Sequence, residues 1–229
     1  MTEEEQYYNV TRENLLRAIG EPWADRNALD NLNGLKVKRV LDVGCGIGQA
    51  LFNLAVPFRA TGVGVDVSAL GLSMGSEFYA EHLPAEQISF VRAGAESLPF
   101  ESESFDLVNC GLALPYTHNS RAIAEISRVL RPSGIFLLKI HHARFYIREL
   151  WHGLTKADLS SIIHGSRVLA AGTLYHLFRR QPQLRFLNET YQTRWLLNSE
   201  LGKHGLNIER EQKNTNPLTP AFVIRKNRE

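Results

Sequence analysis

The chain has 229 residues, 44% of them hydrophobic, and 26 basic against 24 acidic side chains, for a formal net charge of +2. That length supports one domain, or one domain with an inserted subdomain, and the apolar content excludes an intrinsically disordered chain. So small a net charge points to no nucleic-acid partner, and no apolar run reaches membrane-helix length, so no membrane partner is expected. Two cysteines, Cys45 and Cys110, lie far apart in or beside predicted strands. They suit a reducing compartment rather than a disulfide framework and exclude a zinc knuckle of ordinary spacing; no metal site is expected. The opening Met-Thr-Glu-Glu-Glu-Gln has the wrong charge for a secretory leader, so a cytoplasmic location is expected.

Residues 1–35 are polar and aromatic, with helix signals over Thr11 to Ile19 and a second candidate over Ala24 to Leu32. Leu15, Leu16 and Ile19 are spaced for one helix face. Next comes Val40-Leu-Asp-Val-Gly-Cys-Gly-Ile-Gly-Gln-Ala50, a strand running into three glycines at alternate positions and then a helix start. Such a turn lets a ligand approach the backbone, and the following helix aims its amides at the same spot. Thr61 to Val67 reads as a second apolar strand ending at Asp66, which lies 22 residues beyond Gly44. A carboxylate about 20 residues past a glycine turn sits at the end of the next parallel strand, within reach of ribose hydroxyls.

Phe90 to Phe100 predicts a short strand running into a loop, and Ser104 to Cys110 a fourth strand. A helix from about Arg121 to Leu130 is expected to stop at Pro132 and Gly134, with an apolar strand following to Ile140. Residues 141–194 hold eight basic against three acidic side chains among many aromatics, and read as a helical cap. A helix over Gln192 to His204 and two strands, Leu206–Gln212 and Ala221–Lys226, close the chain. Strand–helix alternation over residues 36–140 implies a doubly wound, mostly parallel α/β sheet with its ligand at the carboxyl ends of the strands.

The string Asp42-x-Gly44-x-Gly46-x-Gly48, rather than the dinucleotide Gly-x-Gly-x-x-Gly, resembles the first motif of the class I S-adenosylmethionine-dependent methyltransferases, especially small enzymes acting on metabolites. The resemblance covers about Val40 to Ile140. It implies a seven-stranded Rossmann-like sheet with an antiparallel last strand and S-adenosylmethionine as cofactor. It divides the chain into an N-terminal lid (1–35), a cofactor-binding core (36–140), a helical cap (141–194) and the end of the sheet (195–229). By that resemblance Asp42, Gly44, Cys45, Gly46, Gly48 and Val67 border the cofactor, Asp66 takes the ribose hydroxyls, and Ala95 and Glu96 border the adenine. Cys110 and Gly111 lie near the methyl group, and Tyr8 of the lid closes over the methionine end, with Tyr7 and Arg12 as further lid candidates. Gly94 departs from the Asp that the family often places there to reach the adenine amino group, and Ser133 replaces the first of two glycines.

Methyl transfer to a hydroxyl or ammonium needs a base; His141, His142, Tyr116 and His118 are the candidates, because they follow the fourth and fifth strands. His152, His164 and His176 of the cap are weaker candidates for binding substrate. Leu114-Pro115-Tyr116 lacks the Asn/Asp-Pro-Pro-Tyr run of nucleic-acid amino-methyltransferases, which disfavours nucleic acid as substrate. The expected reaction is transfer to oxygen or nitrogen of a small-molecule acceptor. RNA- or protein-directed transfer, a nicotinamide-dependent oxidoreductase, a cyclase-like relative and a non-catalytic binding module remain alternatives, as does a homodimer.

Overall fold

The structure is a computed structural model and describes residues 2–20, 36–83, 87–182, 187, 189–212 and 216–228. The helix expected over Ala24 to Leu32 lies outside these residues. In chain order the elements are α1 (Glu3–Gly20), β1 (Arg39–Val43), α2 (Gln49–Ala55), β2 (Thr61–Asp66), α3 (Ala69–His82), β3 (Ile88–Arg92) and β4 (Phe105–Gly111). These are followed by α4 (Asn119–Val129), β5 (Leu130–Lys139), α5 (Ala143–Lys156), α6 (Leu159–Phe178), α7 (Arg194–Gly202), β6 (Leu206–Glu211) and β7 (Ala221–Lys226). The seven strands form one sheet in the order β3-β2-β1-β4-β5-β7-β6. Five neighbouring strands pair in parallel, and β7 runs antiparallel to both β5 and β6.

β1 is central and buried on both faces, as its continuous apolar run requires. Strand alternation sends Leu41 and Val43 into a core shared with Val108, Cys110 and Ile123. It sends Val40 into the opposite core, with Leu107, Leu51 and Phe78. Strand order reverses between β1 and β4, so their carboxyl ends open a crevice.

Two boundaries differ from the sequence expectation. α1 begins at Glu3 rather than near Thr11, because Thr2 and Glu5 form a reciprocal capping box. The Glu5 N–H donates to Thr2 Oγ1 at 3.1 Å, and the Thr2 N–H to Glu5 Oε2 at 2.6 Å. In that helix Leu15 is buried, whereas Leu16 is exposed. Pro132 and Gly134 do not precede β5 but lie within it. Leu130 pairs with Phe105 and pairing resumes at Leu107 with Ile135, so four residues bulge from the strand. Within that bulge Ser133 sits at φ 62°, a left-handed conformation that costs a residue with a Cβ about 1–2 kcal/mol.

Ser133→Gly should therefore raise stability by about 1 kcal/mol, less the exposed bond from Arg228 to the Ser133 hydroxyl. A melting temperature higher by about 2–4 °C checks this.

Candidate active site

The loop after β1 is held from beneath by the end of β2. The N–H groups of Gly44 and Cys45 both donate to the Val65 carbonyl, at 2.8 and 3.1 Å. The Gly46 N–H donates to Asp66 Oδ2 at 2.8 Å. Gly44 (φ 71°) has no alternative residue: a Cβ there would come 2.2 Å from the Ala113 side chain, which crosses from the loop after β4. The glycine at 48 answers a different need. It caps α2 in the left-handed region, and a Cβ would meet the Phe90 and Tyr79 rings; it borders neither cavity of the crevice.

Two cavities, of about 600 and 280 Å³, share Tyr7, Gly44, Gln49, Asp66, Gly111 and Leu112 and so form one cleft. Their size suits a drug-sized ligand. Val67, Gly94, Ala95 and Glu96 line one end, and Tyr116, Thr117 and His141 also border this larger cavity. Tyr8, Asp42, Cys45, Gly46, Asn109 and Lys139 line the other. Leu112 stands at φ 67° between them, its N–H on the Lys139 carbonyl at 3.0 Å. A branched apolar residue held there costs about 1–3 kcal/mol, and such strain clusters at ligand sites.

Asp66 has a dual place. Its Oδ2 takes the Gly46 N–H and its Oδ1 the Ser68 N–H at 2.9 Å. A carboxylate offers about four acceptor positions, so further ones remain toward the cleft for hydroxyl donors. Asp42 is 2% exposed and accepts from Asn109 Nδ2 at 2.7 Å. Burial, with the nearby Asp66 charge, pushes its pKa up to about 7 despite that bond. A cation arriving in the smaller cavity would favour the ionised form. At position 94 the nearest atom to an added Cβ is Glu96 Oε2, at 3.2 Å. Glu96 thus brings a carboxylate to the place left by the missing Asp, while its Oε1 accepts from the His118 N–H at 2.7 Å. This set of carboxylate acceptors fits a ligand with a diol at its centre, a cationic tail at one end and an amine-bearing ring at the other.

His141, only 8% exposed, borders the larger cavity. Its Nδ1 lies 3.1 Å from the Tyr146 hydroxyl, which donates to Glu189 Oε1 at 2.9 Å. The Tyr146 proton is committed to the carboxylate, so Tyr146 can only accept from His141. The imidazole therefore carries its proton on Nδ1 and leaves Nε2 as a lone pair. Phe145 stacks on the ring at 4.3 Å. Burial lowers the His141 pKa against the pull of Glu189 and Glu149, keeping the ring neutral near pH 7. The chain continues beyond Glu189: His164 bridges Glu189 and Glu149 at 2.9 Å on each side, and these carboxylates outweigh burial to raise its pKa.

Other expected residues lie elsewhere. Cys110 borders neither cavity; it points into the core with Val108, because alternation along β4 turns Asn109 and Gly111 to the cleft instead. Its thiol is pushed up to about 12 by burial, as for an inert side chain. His142 and His118 accept the N–H groups of Arg144 and Arg121 as helix caps and line neither cavity. Arg12 faces Glu81 at 3.9 Å, away from the cleft. His176 is held between Gly172 and Thr193, and neither α5 nor α6 supplies a residue to the cavity walls. Tyr8 does cover the turn: its ring comes 3.3 Å from a Cβ at Gly46. Leu112 lies at the strand edge where the sequence places it, whereas Asn109, Gln49 and Thr117 were not anticipated; alternation from Asp42's own face of the sheet would have found Asn109.

Residues 41–138 match the family model described as a methyltransferase domain. An O-methyltransferase of Aspergillus nomiae is 33% identical over 133 residues, 58% of this chain and 55% of that protein. A fatty-acid O-methyltransferase of Mycolicibacterium smegmatis is 35% identical over 127 residues, 55% of this chain and 45% of that protein. The chain spans about half the length of the curated relatives it matches. The fold is shared with an S-adenosylmethionine-dependent methyltransferase of Methanosarcina mazei at TM-score 0.61 and 19% identity, covering 88% of this chain and 98% of that one. Glycine turn, the acid at the end of β2, sheet order and the match over residues 41–138 agree: this part of the chain resembles a methyltransferase domain, on the fold of S-adenosylmethionine-dependent methyltransferases.

Proposed function

We propose that the protein transfers a methyl group from S-adenosylmethionine to an oxygen of a small molecule, with nitrogen as the second choice. The observation that carries this reading is Asp66, which braces the glycine turn through Gly46 and keeps acceptor positions open to the same cleft. When bound, S-adenosylmethionine supplies an electrophilic methyl on a cationic sulfur, so the protein's task is alignment and exclusion of water. Asp66 holds the ribose hydroxyls. The cavity end at Val67, Ala95 and Glu96 takes the adenine. Asp42, Gly44, Gly46 and Tyr8 enclose the amino-acid tail, and Tyr7 and Leu112 separate the two halves. His141 Nε2 removes the acceptor's proton, and the Tyr146–Glu189 pair holds the ring in the tautomer that can do so. A base so placed favours a hydroxyl acceptor. The name of the Aspergillus relative, an O-methyltransferase, points the same way.

Isothermal titration with S-adenosylmethionine tests the cofactor. Asp66→Ala should weaken binding by about 1–3 kcal/mol, since a buried hydroxyl pair loses its acceptor. Unchanged affinity would remove Asp66 from the ribose role and the whole reading with it.

Affinity should also depend on pH. The ionised form of Asp42 attracts the cationic tail, so binding is strong above the free pKa of about 7 and is lost as pH falls below it. The dissociation constant should tighten about tenfold between about pH 5.5 and 7. In Asp42→Asn, which keeps an acceptor for Asn109, that slope should vanish; a persisting slope assigns it to another group.

His141→Gln should lower turnover on a hydroxyl acceptor by about a hundredfold at neutral pH while cofactor affinity stays put. Single-turnover assays over a panel of phenols, carboxylic acids and amines check both the acceptor class and the base.

A further inference from the structure

The antiparallel pair α5 and α6 does not contribute to the cleft walls, yet it carries the largest concentration of exposed apolar side chains in the described residues. Ile147, Trp151 and Leu154 follow one another at helical spacing along α5, each 54–68% exposed. Leu159, Ile163 and Leu177 share an outer face of α6 and are 61–71% exposed. The inner faces are accounted for: Gly153 and Gly165 let the helices touch, and Tyr146, Val168 and Tyr175 are buried. An apolar surface of this kind on a protein face marks an interaction site rather than chance exposure.

The charge on the pair is one-sided. Residues 143–180 hold Arg144, Arg148, Lys156, Arg167, Arg179 and Arg180 against only Glu149 and Asp158. Both acids are engaged: Glu149 bonds His164, and Asp158 caps α6 through Ser160 and Ser161. Arg144 and Arg148 stand beside Ile147, Trp151 and Leu154 around one shallow apolar depression. A second copy of this chain would set like charges against each other across a symmetric contact. An aromatic and aliphatic stripe edged by arginines instead complements an anionic bilayer surface, the apolar side chains entering the headgroup boundary. No helix among the described residues is long and apolar enough to cross a membrane, so the contact is with the surface.

We infer that the α5–α6 hairpin adsorbs to anionic lipid bilayers through Ile147, Trp151, Leu154, Leu159 and Ile163, with Arg144 and Arg148 reading the negative headgroups. α5 starts two residues after His141, so adsorption presents the acceptor side of the cleft close to the lipid. The inference stands independently of methyl transfer.

The test is co-sedimentation of the full chain with vesicles of phosphatidylcholine alone and of equal parts phosphatidylcholine and phosphatidylglycerol. Binding to the anionic vesicles should be at least about tenfold stronger and should fall with added salt. The triple variant Ile147→Ser, Trp151→Ser, Ile163→Ser changes only exposed positions and should lose binding. Arg144→Gln with Arg148→Gln should lose the preference for anionic lipid. Trp151→Phe should still sediment but without the blue shift of tryptophan fluorescence. S-adenosylmethionine titration on every variant reports the fold and, separately, the proposed cofactor. Equal sedimentation with both vesicles, or binding unaffected by the triple variant, would overturn the inference. So would a concentration-dependent dimer in light scattering that the triple variant abolishes while vesicles go unbound.

Discussion

One hydrogen bond ties the ligand cleft together: the Gly46 N–H on the Asp66 carboxylate at 2.8 Å. It joins the turn leaving β1 to the end of β2, and it decides where both stand. With the Val65 carbonyl taking two further N–H groups, the glycine turn becomes a fixed backbone surface rather than a mobile loop. The same carboxylate receives the first N–H before α3, so a single side chain positions a turn, a helix start and its own remaining lone pairs. Charge-assisted bonds of this type are stronger than neutral ones, which suits a position where three elements meet. A ligand entering the cleft therefore meets acceptors already oriented, and little ordering is left to oppose binding.

Much of this was legible in the chain. Val40–Ala50 announces the strand, the turn and the helix because the glycine rhythm and the β-branched run agree with each other. Asp66 was legible by its distance from that turn. The helix cap Thr2–Glu5 was equally present in the residues, but its pattern precedes no long apolar run, and the helix start was read only near Thr11. Pro132 misled for a physical reason: proline and glycine mark a chain reversal, and here they mark a bulge inside a strand whose pairing resumes beyond them. Cys110 was placed near the ligand by its position at a strand end. Period-two alternation, counted from Asp42 across the register to Asn109, puts the thiol on the far face.

The acceptor side was legible only as a short list of residues. Four candidates for a base follow two strands, and nothing in the chain ranks them. Tertiary structure gives one of them a chain of partners 5 and 43 residues apart: His141 on Tyr146, and Tyr146 on Glu189. His142 and His118 are spent on helix caps, a role that histidine's ring nitrogen can fill and that sequence reading assigns first to Ser, Thr, Asp and Asn. Glu189 belongs to the segment ahead of α7, so the site depends on the chain returning after α6. This explains how a helical pair can matter to the cleft without touching its walls: it fixes Tyr146 and His164, and through them the imidazole.

Asp42 shows what the fold tolerates for its ligand. A carboxylate 2% exposed whose partner is the Asn109 amide is a poor choice for stability alone, since among the described residues no cation is paired with its buried charge. An asparagine would pack as well and ionise never. The pKa near 7 means that the empty fold relieves the cost by holding a proton over part of the physiological range. What the acid adds is a group whose ionised form a cation in the adjoining cavity would favour. Glu96 follows a related logic at the other end, where a carboxylate from two residues on fills the space at Gly94. At both ends of the cleft, then, an acid stands at the cavity wall: Asp42 with the Asn109 amide as its partner, and Glu96 with one oxygen held by the His118 N–H and the other beside Gly94.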